Sequence, residues 1–236
     1  QEDFDFFVVP HHTTRTGKHG EIPDEIYPGK KMMPVIEIHS KWGTSEYRGN
    51  PDPLKEIHHG PSYAVDMLNR GLRLGFIGGT DTHNTLTFIG FEKSEHLARL
   101  PGLTGIISEK LDRNSIFEAI RNRRCYATSG ERIFLDFNIN GIAMGQESDK
   151  PEKNRKISIN TAACSDISTV EMIRNGEVLK TYNPKSFSFS GSLEDSESFD
   201  DICIKTQNRG SFIYYYVRVR CVSGAAAWSS PIWFSN

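Results

Sequence analysis

Leu74-Gly75-Phe76-Ile77-Gly78-Gly79-Thr80-Asp81-Thr82-His83 runs from a short apolar stretch through paired glycines to a carboxylate and an imidazole two residues apart. A brief apolar run bounded by turn formers reads as a buried strand. Residues two apart in an extended segment project to the same side, so Asp81 and His83 can reach one cation. The glycines let backbone approach that point closely. Alone, an Asp-x-His tripeptide is as compatible with an ordinary surface loop; its place at a strand end is what singles it out.

The same grammar occurs twice upstream. Phe6 to Val9 leads into Pro10-His11-His12-Thr13, and Val35 to Ile38 leads into His39-Ser40. Each run reads as a strand buried on both faces, as in a parallel sheet. Between the second and third, Pro61 suits a first helical turn, Ala64, Val65 and Leu68 form an apolar stripe, and Gly71 suits the position past the end. Strand, helix, strand implies parallel pairing, and parallel α/β folds collect their sites at the carboxyl ends of strands. A strand at Phe6 to Val9 needs neighbours on both sides and nothing earlier supplies one, so the chain is expected to be a fragment.

A second helix is expected over Asp112 to Arg124, with Asp112 as N-cap, Ile116, Phe117, Ala119 and Ile120 on the apolar side, and Arg121, Arg123 and Arg124 favouring the helix dipole and solvent. Phosphate binding by one of these arginines is the minority reading. Beyond about residue 130 the pattern changes to short strands with period-two alternation, the mark of an antiparallel sandwich. Ile133, Leu135 and Phe137 alternate before the hairpin dipeptide Asn140-Gly141, and Asn175-Gly176 repeats the signal. Tyr215, Val217, Val219 and Cys221 are expected on a core face, with Tyr216, Arg218 and Arg220 on a wet one. Pro184 to Asp201 reads as irregular or edge. The expected division is therefore 1–130, part of an α/β metal-hydrolase-like domain, and 131–236, a β-sandwich.

The 236 residues are 37% hydrophobic and 25% charged, with net charge -2, as in soluble globular proteins. No basic stripe recruits a polyanion, which argues against nucleic acid. No apolar run approaches the ~18 residues of a membrane span, and no signal peptide is visible, so a membrane is not expected and the compartment stays open, a periplasmic or extracellular parent included. Cys125, Cys164, Cys203 and Cys221 form no Cys-x-x-Cys pair and read as free thiols; a Cys203–Cys221 bridge is conceivable in a secreted protein.

For metal chemistry the candidates are His12, Asp81 and His83, with His11 as the alternative to His12, since adjacent side chains point differently. Hydrogen-bonded loop histidines are the competing reading. Glu37 and His39 share a side, and either could be ligand, base or structural polar residue; with Asn84 they are also candidates for a second layer or substrate contact. Trp42 and Glu46 could wall a substrate pocket, with packing an equal reading for Trp42. His19, His58, His59 and His96 read as solvent-facing. Imidazole plus carboxylate suits Zn, Mn or Fe rather than Ca, and hydrolysis is the natural chemistry.

Val8-Val9-Pro10-His11-His12-Thr13, Val35-Ile36-Glu37-Ile38-His39-Ser40 with Gly43-Thr44-Ser45-Glu46, Gly78-Gly79-Thr80-Asp81-Thr82-His83-Asn84 and Arg124-Cys125-Tyr126-Ala127-Thr128-Ser129-Gly130 together resemble the PHP (polymerase and histidinol phosphatase) superfamily, in its branch with a carbaryl-hydrolase-like metal domain. Tyr215-Tyr216-Val217-Arg218-Val219 and Ala227-Trp228-Ser229-Ser230-Pro231-Ile232-Trp233 resemble that branch's C-terminal sandwich. The resemblance implies the C-terminal portion of a distorted β/α barrel followed by a small antiparallel sandwich, with up to three divalent metals at the barrel mouth. It places His12 at the family's late histidine, Thr13 standing where proline is usual, and Asp81 and His83 at the closing Asp-x-His. At His39 relatives carry an aromatic residue. The opening His-x-His and the middle ligands belong upstream of Gln1, so this chain is expected to bind metal weakly and turn over little. The parent is expected to be a metallohydrolase in which metal-activated water attacks a phosphoester, carbamate, ester or amide of a small molecule. The alternative is a non-catalytic module whose sandwich binds carbohydrate or a partner chain through Tyr214, Tyr216, Trp228 or Trp233.

Overall fold

The computed structural model describes residues 5–15, 22–54, 62–83, 100–150 and 152–236. His19, His58, His59, Pro61, Asn84 and His96 lie outside the described residues. In chain order the elements are β1 Val35–Ser40, β2 Gly43–Thr44, α1 Ala64–Asn69, β3 Gly75–Gly78, β4 Leu103–Ile106, α2 Arg113–Arg121, β5 Cys125–Thr128, β6 Phe134–Ile139, β7 Ile142–Ala143 and β8 Glu147–Ser148. There follow β9 Arg155–Arg174, β10 Glu177–Tyr182, β11 Ser186–Asp195, α3 Phe199–Ile202, β12 Ile204–Thr206, β13 Gly210–Cys221, β14 Ala226–Ser229 and β15 Ile232–Ser235.

The expected strand, helix, strand unit is present. β1 and β3 pair in parallel, Val35 opposite Gly75, with β2 antiparallel on the far side of β1. α1 buries Ala64, Met67 and Leu68, and Gly71 follows in the left-handed conformation at φ 86°. In α2 the Asp112 carboxylate accepts the Ser115 N–H at 2.8 Å, the cap read from sequence.

The barrel expectation is overturned. The molecule is mostly β, dominated by a twelve-stranded sheet whose main path runs β4-β5-β14-β13-β9-β6-β7. A β/α barrel needs parallel neighbours to continue around, but β4 and β5, although joined through α2, pair antiparallel, and β14 takes the other edge of β5. Gly105 in β4 leaves room for the Tyr126 ring of β5 to lie across it; any Cβ there would collide with that ring. β4 and β5, which fall within the expected α/β domain, thus belong to the large sheet, and strands from both sides of residue 130 share it.

Two further expectations are corrected. Phe6 to Val9 forms no strand, and Phe6, 57% exposed, Val8 and Val9 face outward. The segment is tied alongside β1 by the Val8 N–H to the Met32 carbonyl and the Glu37 N–H to the Pro10 carbonyl, while Pro10 has no N–H to extend a ladder. On β13, the face expected to be wet is largely dry. Tyr216 and Arg218 are buried because the α/β layer covers them.

Alternation along β13 therefore feeds two cores. Ile213, Tyr215, Val217 and Val219 pack with Leu135, Phe137, Ile157, Ile159, Val170 and Met172 inside the sandwich. Phe212, Tyr214 and Tyr216 pack with Ile36, Ile38, Met67, Leu68, Phe76, Trp228 and Trp233 beneath β1, β3 and α1. At ~1.5–3 kcal/mol for each large apolar side chain taken fully from water, both cores contribute heavily. Asn140-Gly141 and Asn175-Gly176 both adopt positive φ, as two-residue hairpin turns require. β10 and β11 flank β9 at the sheet edge; Pro184 to Asp201, expected as irregular or edge, supplies β11 and the start of α3.

Candidate metal centre

β1 and β3 end side by side, and the residues after them meet the histidine pair brought in along β1. His12 is buried, and its Nε2 lies 3.0 Å from Asp81 Oδ2 and 3.4 Å from the Ser40 hydroxyl. The His11 ring stacks on that of His12 with centroids 4.5 Å apart, and its Nδ1 is 3.8 Å from a Glu37 carboxylate oxygen. One ligand atom from each of His11, His12 and Glu37 lies within 4.8 Å of the others. His83 Nε2 is 3.1 Å from Asp81 Oδ1, on the solvent side, with 69% of its side chain exposed.

The backbone is shaped to make this happen. His12 and Asp81 both sit at positive φ, 50° and 45°, a conformation costing roughly 1–2 kcal/mol for a residue with a Cβ. Strain of this kind persists where surrounding contacts over-determine it and concentrates at functional sites. At Asp81 one such contact is visible: the Trp42 indole N–H donates to the Asp81 carbonyl at 3.3 Å, and the Trp42 ring lies 5.6 Å from that of His83. Gly79 has a different task. A Cβ there would overlap Glu37 Oε2, so the glycine opens the space in which the Glu37 carboxylate lies.

The electrostatics are those of acids withdrawn from water. Burial, and secondarily the neighbouring Asp81 charge, push Glu37 up to about 8. Asp81 Oδ2 is buried and accepts no hydrogen bond among the described residues, although His12 Nε2 is near. The pair is close but out of line for a hydrogen bond. Two donor atoms ~2.1 Å from one cation stand about 3.0–3.4 Å apart at octahedral or tetrahedral angles, so the His12–Asp81 spacing fits two ligands of one ion.

Of the residues singled out in the sequence, His11, His12 and Glu37 converge as one group, Asp81 sits against His12, and His83 sits against the other oxygen of Asp81. His39 does not join them. It is buried, with Nδ1 2.8 Å from the Thr44 hydroxyl and its ring stacked on Trp228 at 5.6 Å. Glu46 walls no pocket either: fully buried, it accepts from Tyr216 Oη at 2.8 Å, Arg218 Nη1 at 2.6 Å and Trp228 Nε1 at 2.8 Å. Sequence reasoning missed Ser40 beside His12 and the task of Gly79, although the glycine pair preceding Asp81 was its signal. A cleft of about 340 Å³ is lined by His39, Asp52, Leu100, Ser129, Glu131 and Ser223 among others. Tyr214, Tyr216, Trp228 and Trp233, the candidate carbohydrate platform, are all buried.

All four cysteines are free, Cys125 and Cys221 buried and Cys164 exposed. No helix among the described residues is long and apolar enough to cross a membrane.

Residues 90–165 match a family model described as a protein of unknown function, DUF3604. An uncharacterized protein of Chlamydia trachomatis serovar D is 38% identical over 212 residues, covering 84% of this chain and 34% of its own length. A Chlamydia muridarum protein is 39% identical over the same shares of both chains, and one from Chlamydia pneumoniae is 36% identical over 241 residues, 97% of this chain and 38% of its own. No solved structure matches the chain significantly. This chain is thus similar to relatives of which it spans little more than a third.

Proposed function

We propose that the parent protein is a metal-dependent hydrolase of PHP type and that His12, Asp81 and His83, with His11 and Glu37, are ligands of its divalent cations. The observation that carries this reading is the buried Asp81 Oδ2, without a hydrogen bond among the described residues, 3.0 Å from His12 Nε2 at co-ligand spacing. Mixed imidazole and carboxylate donors suit Zn, Mn or Fe. A cation bound there supplies Lewis acidity, acidifying water and polarising the scissile group.

The chain's own residues do the rest. Trp42 pins the Asp81 turn, Gly79 admits Glu37, and Ser40 bears on the imidazole of His12. Glu37 is kept protonated near neutrality by its burial and by the Asp81 charge beside it, and would hold a cation as the carboxylate.

The test is metal content by mass spectrometry and turnover of aryl carbamates, esters and phosphoesters, on this chain and on its full-length parent. The parent should retain a transition metal through dialysis and hydrolyse one of these classes. Asp81→Asn and His12→Ala should each lose metal and turnover together. A parent that turns over fully with Asp81→Asn in place would end the proposal. A module that binds carbohydrate or a partner chain unchanged by that substitution would favour the non-catalytic reading.

A further inference from the structure

At the end of β3 remote from Asp81, three cations converge on one carboxylate. Glu147 on β8 is 2.6 Å from Arg123 Nη2, 2.8 Å from Lys30 Nζ and 3.7 Å from Arg73 Nε. The next acid, Asp24, is engaged elsewhere, with Arg70 at 3.0 Å and Arg209 at 2.8 Å. Lys30, Arg73 and Arg123 against Glu147 leave two positive charges in surplus. The two guanidinium groups are not solvent-facing: Arg73 is mostly buried and Arg123 almost wholly so.

The same place holds donors with nothing to donate to. Arg73 Nη2 bonds the Ser235 hydroxyl at 2.8 Å, but Arg73 Nη1 is buried without a hydrogen-bond partner among the described residues. Trp233, opposite Glu147 in the β15–β8 register, is fully buried, and its indole N–H is likewise unpartnered among the described residues. The Arg73 and Arg123 guanidinium carbons lie 5.8 and 5.4 Å from the Trp233 ring. Stacking on aromatic rings explains why arginines pack here. It does not explain an orphaned guanidinium N–H beside an orphaned indole N–H, since buried donors are almost always satisfied. Burial pulls both arginines below their ordinary value, so the surplus opposes folding unless an anion balances it.

We propose that Lys30, Arg73 and Arg123, with the Trp233 indole N–H, form a binding site for a phosphate dianion, free or as a monoester, at the opposite end of β3 from the metal centre. Charge selects the ligand: two surplus positive charges match a dianion, and a guanidinium edge beside a second N–H suits tetrahedral oxygens. Lys30, half exposed, and Glu147, a fifth exposed, mark the side from which it enters. The site does not depend on the hydrolase reading.

The test uses metal-free 236-residue chain, so that the histidine cluster captures no phosphate. Inorganic phosphate, glycerol phosphate and acetate are titrated separately at fixed ionic strength, following melting temperature and the indole N–H resonances of Trp42, Trp228 and Trp233. Phosphate or its monoester should raise the melting temperature saturably and move the Trp233 resonance alone, the tighter of the two identifying the source. Arg73→Gln and Lys30→Ala should each weaken that binding at least tenfold. Lys30→Ala removes only a surface side chain and keeps the test valid if Arg73→Gln misfolds. No saturable shift, an equal response to acetate, or an unchanged response in Lys30→Ala would overturn the proposal.

Discussion

A glycine and a cysteine carry the sharpest residue-scale consequences. Gly79→Ala should leave the fold intact, because Gly79 is not in the left-handed region, yet drive the Glu37 carboxylate out of its place. Metal affinity measured by calorimetry on the parent should fall by about ten- to a hundredfold, as for other losses of support around a metal. Cys125 is fully buried, and burial pushes its thiol up to about 12 from an ordinary 9.0. Below the unfolded value both states hold the proton and the thiol is neutral to stability. Above it the unfolded state ionises first, so stability should decline as pH rises from about 9 to 12, by at most ~1.4 kcal/mol per pH unit from this group. Urea titrations at pH 8 and 10 should show a shallower decline in Cys125→Ala. A thiol reagent at pH 8 should label exposed Cys164 and spare Cys125 until the chain unfolds. The proposed ligands His11, His12, Asp81 and His83 were singled out because each follows an apolar run with a metal-capable side chain. Glu37 was legible only in part: its place two residues before His39 suggested a shared side, whereas the bulge between them separates the two, Glu37 toward Asp81 and His39 toward Trp228.

At the scale of elements, the loop after β2 is locked to the large sheet by Glu46. This carboxylate is fully buried and charge-balanced by Arg218, which also bonds Glu171 at 2.7 Å. Glu46→Ala would strand Arg218 and unsatisfy Tyr216 and Trp228, and should cost about 3–5 kcal/mol in denaturant unfolding. Glu46→Gln, keeping shape but not charge, should cost less. Trp228→Phe, deleting one of three donors, should cost about 1 kcal/mol. Nothing local announced this role. The partners of Glu46 lie 170 to 182 residues away, and no spacing rule reaches so far. The Phe6 to Val9 run shows the opposite failure: its local signal for a strand was strong, but strands need edges to pair with, and Pro10 together with a single flanking neighbour left it extended and partly wet.

For the whole molecule, hydrophobic alternation pointed to β6, the end of β9 and β13, and to the wrong assembly. Period-two patterning says that Tyr215, Val217 and Val219 share a face, but the pattern cannot say what lies over Tyr216 and Arg218. Their aromatic and guanidinium character resembles a solvent face, while in the structure it lines a second core. Residues 131–236 produced alone should therefore expose Phe212, Tyr214, Tyr216, Trp228 and Trp233, bind a hydrophobic dye, and fail to show a cooperative melt. A cleanly cooperative fragment would show that the two layers are energetically separable.

That two-faced strand also sets a timetable. Glu46 lies early in the chain, and the loop it anchors follows Trp42 and β2, yet its three donors come from residues 216 to 228. On the ribosome the histidines and Asp81 emerge long before the side chains that hold their scaffold still. On the proposal that these residues hold a cation, its loading is a late event, gated by synthesis of β13 and β14, and a nascent chain stalled before Tyr216 should lose added zinc to a chelator that the finished chain resists.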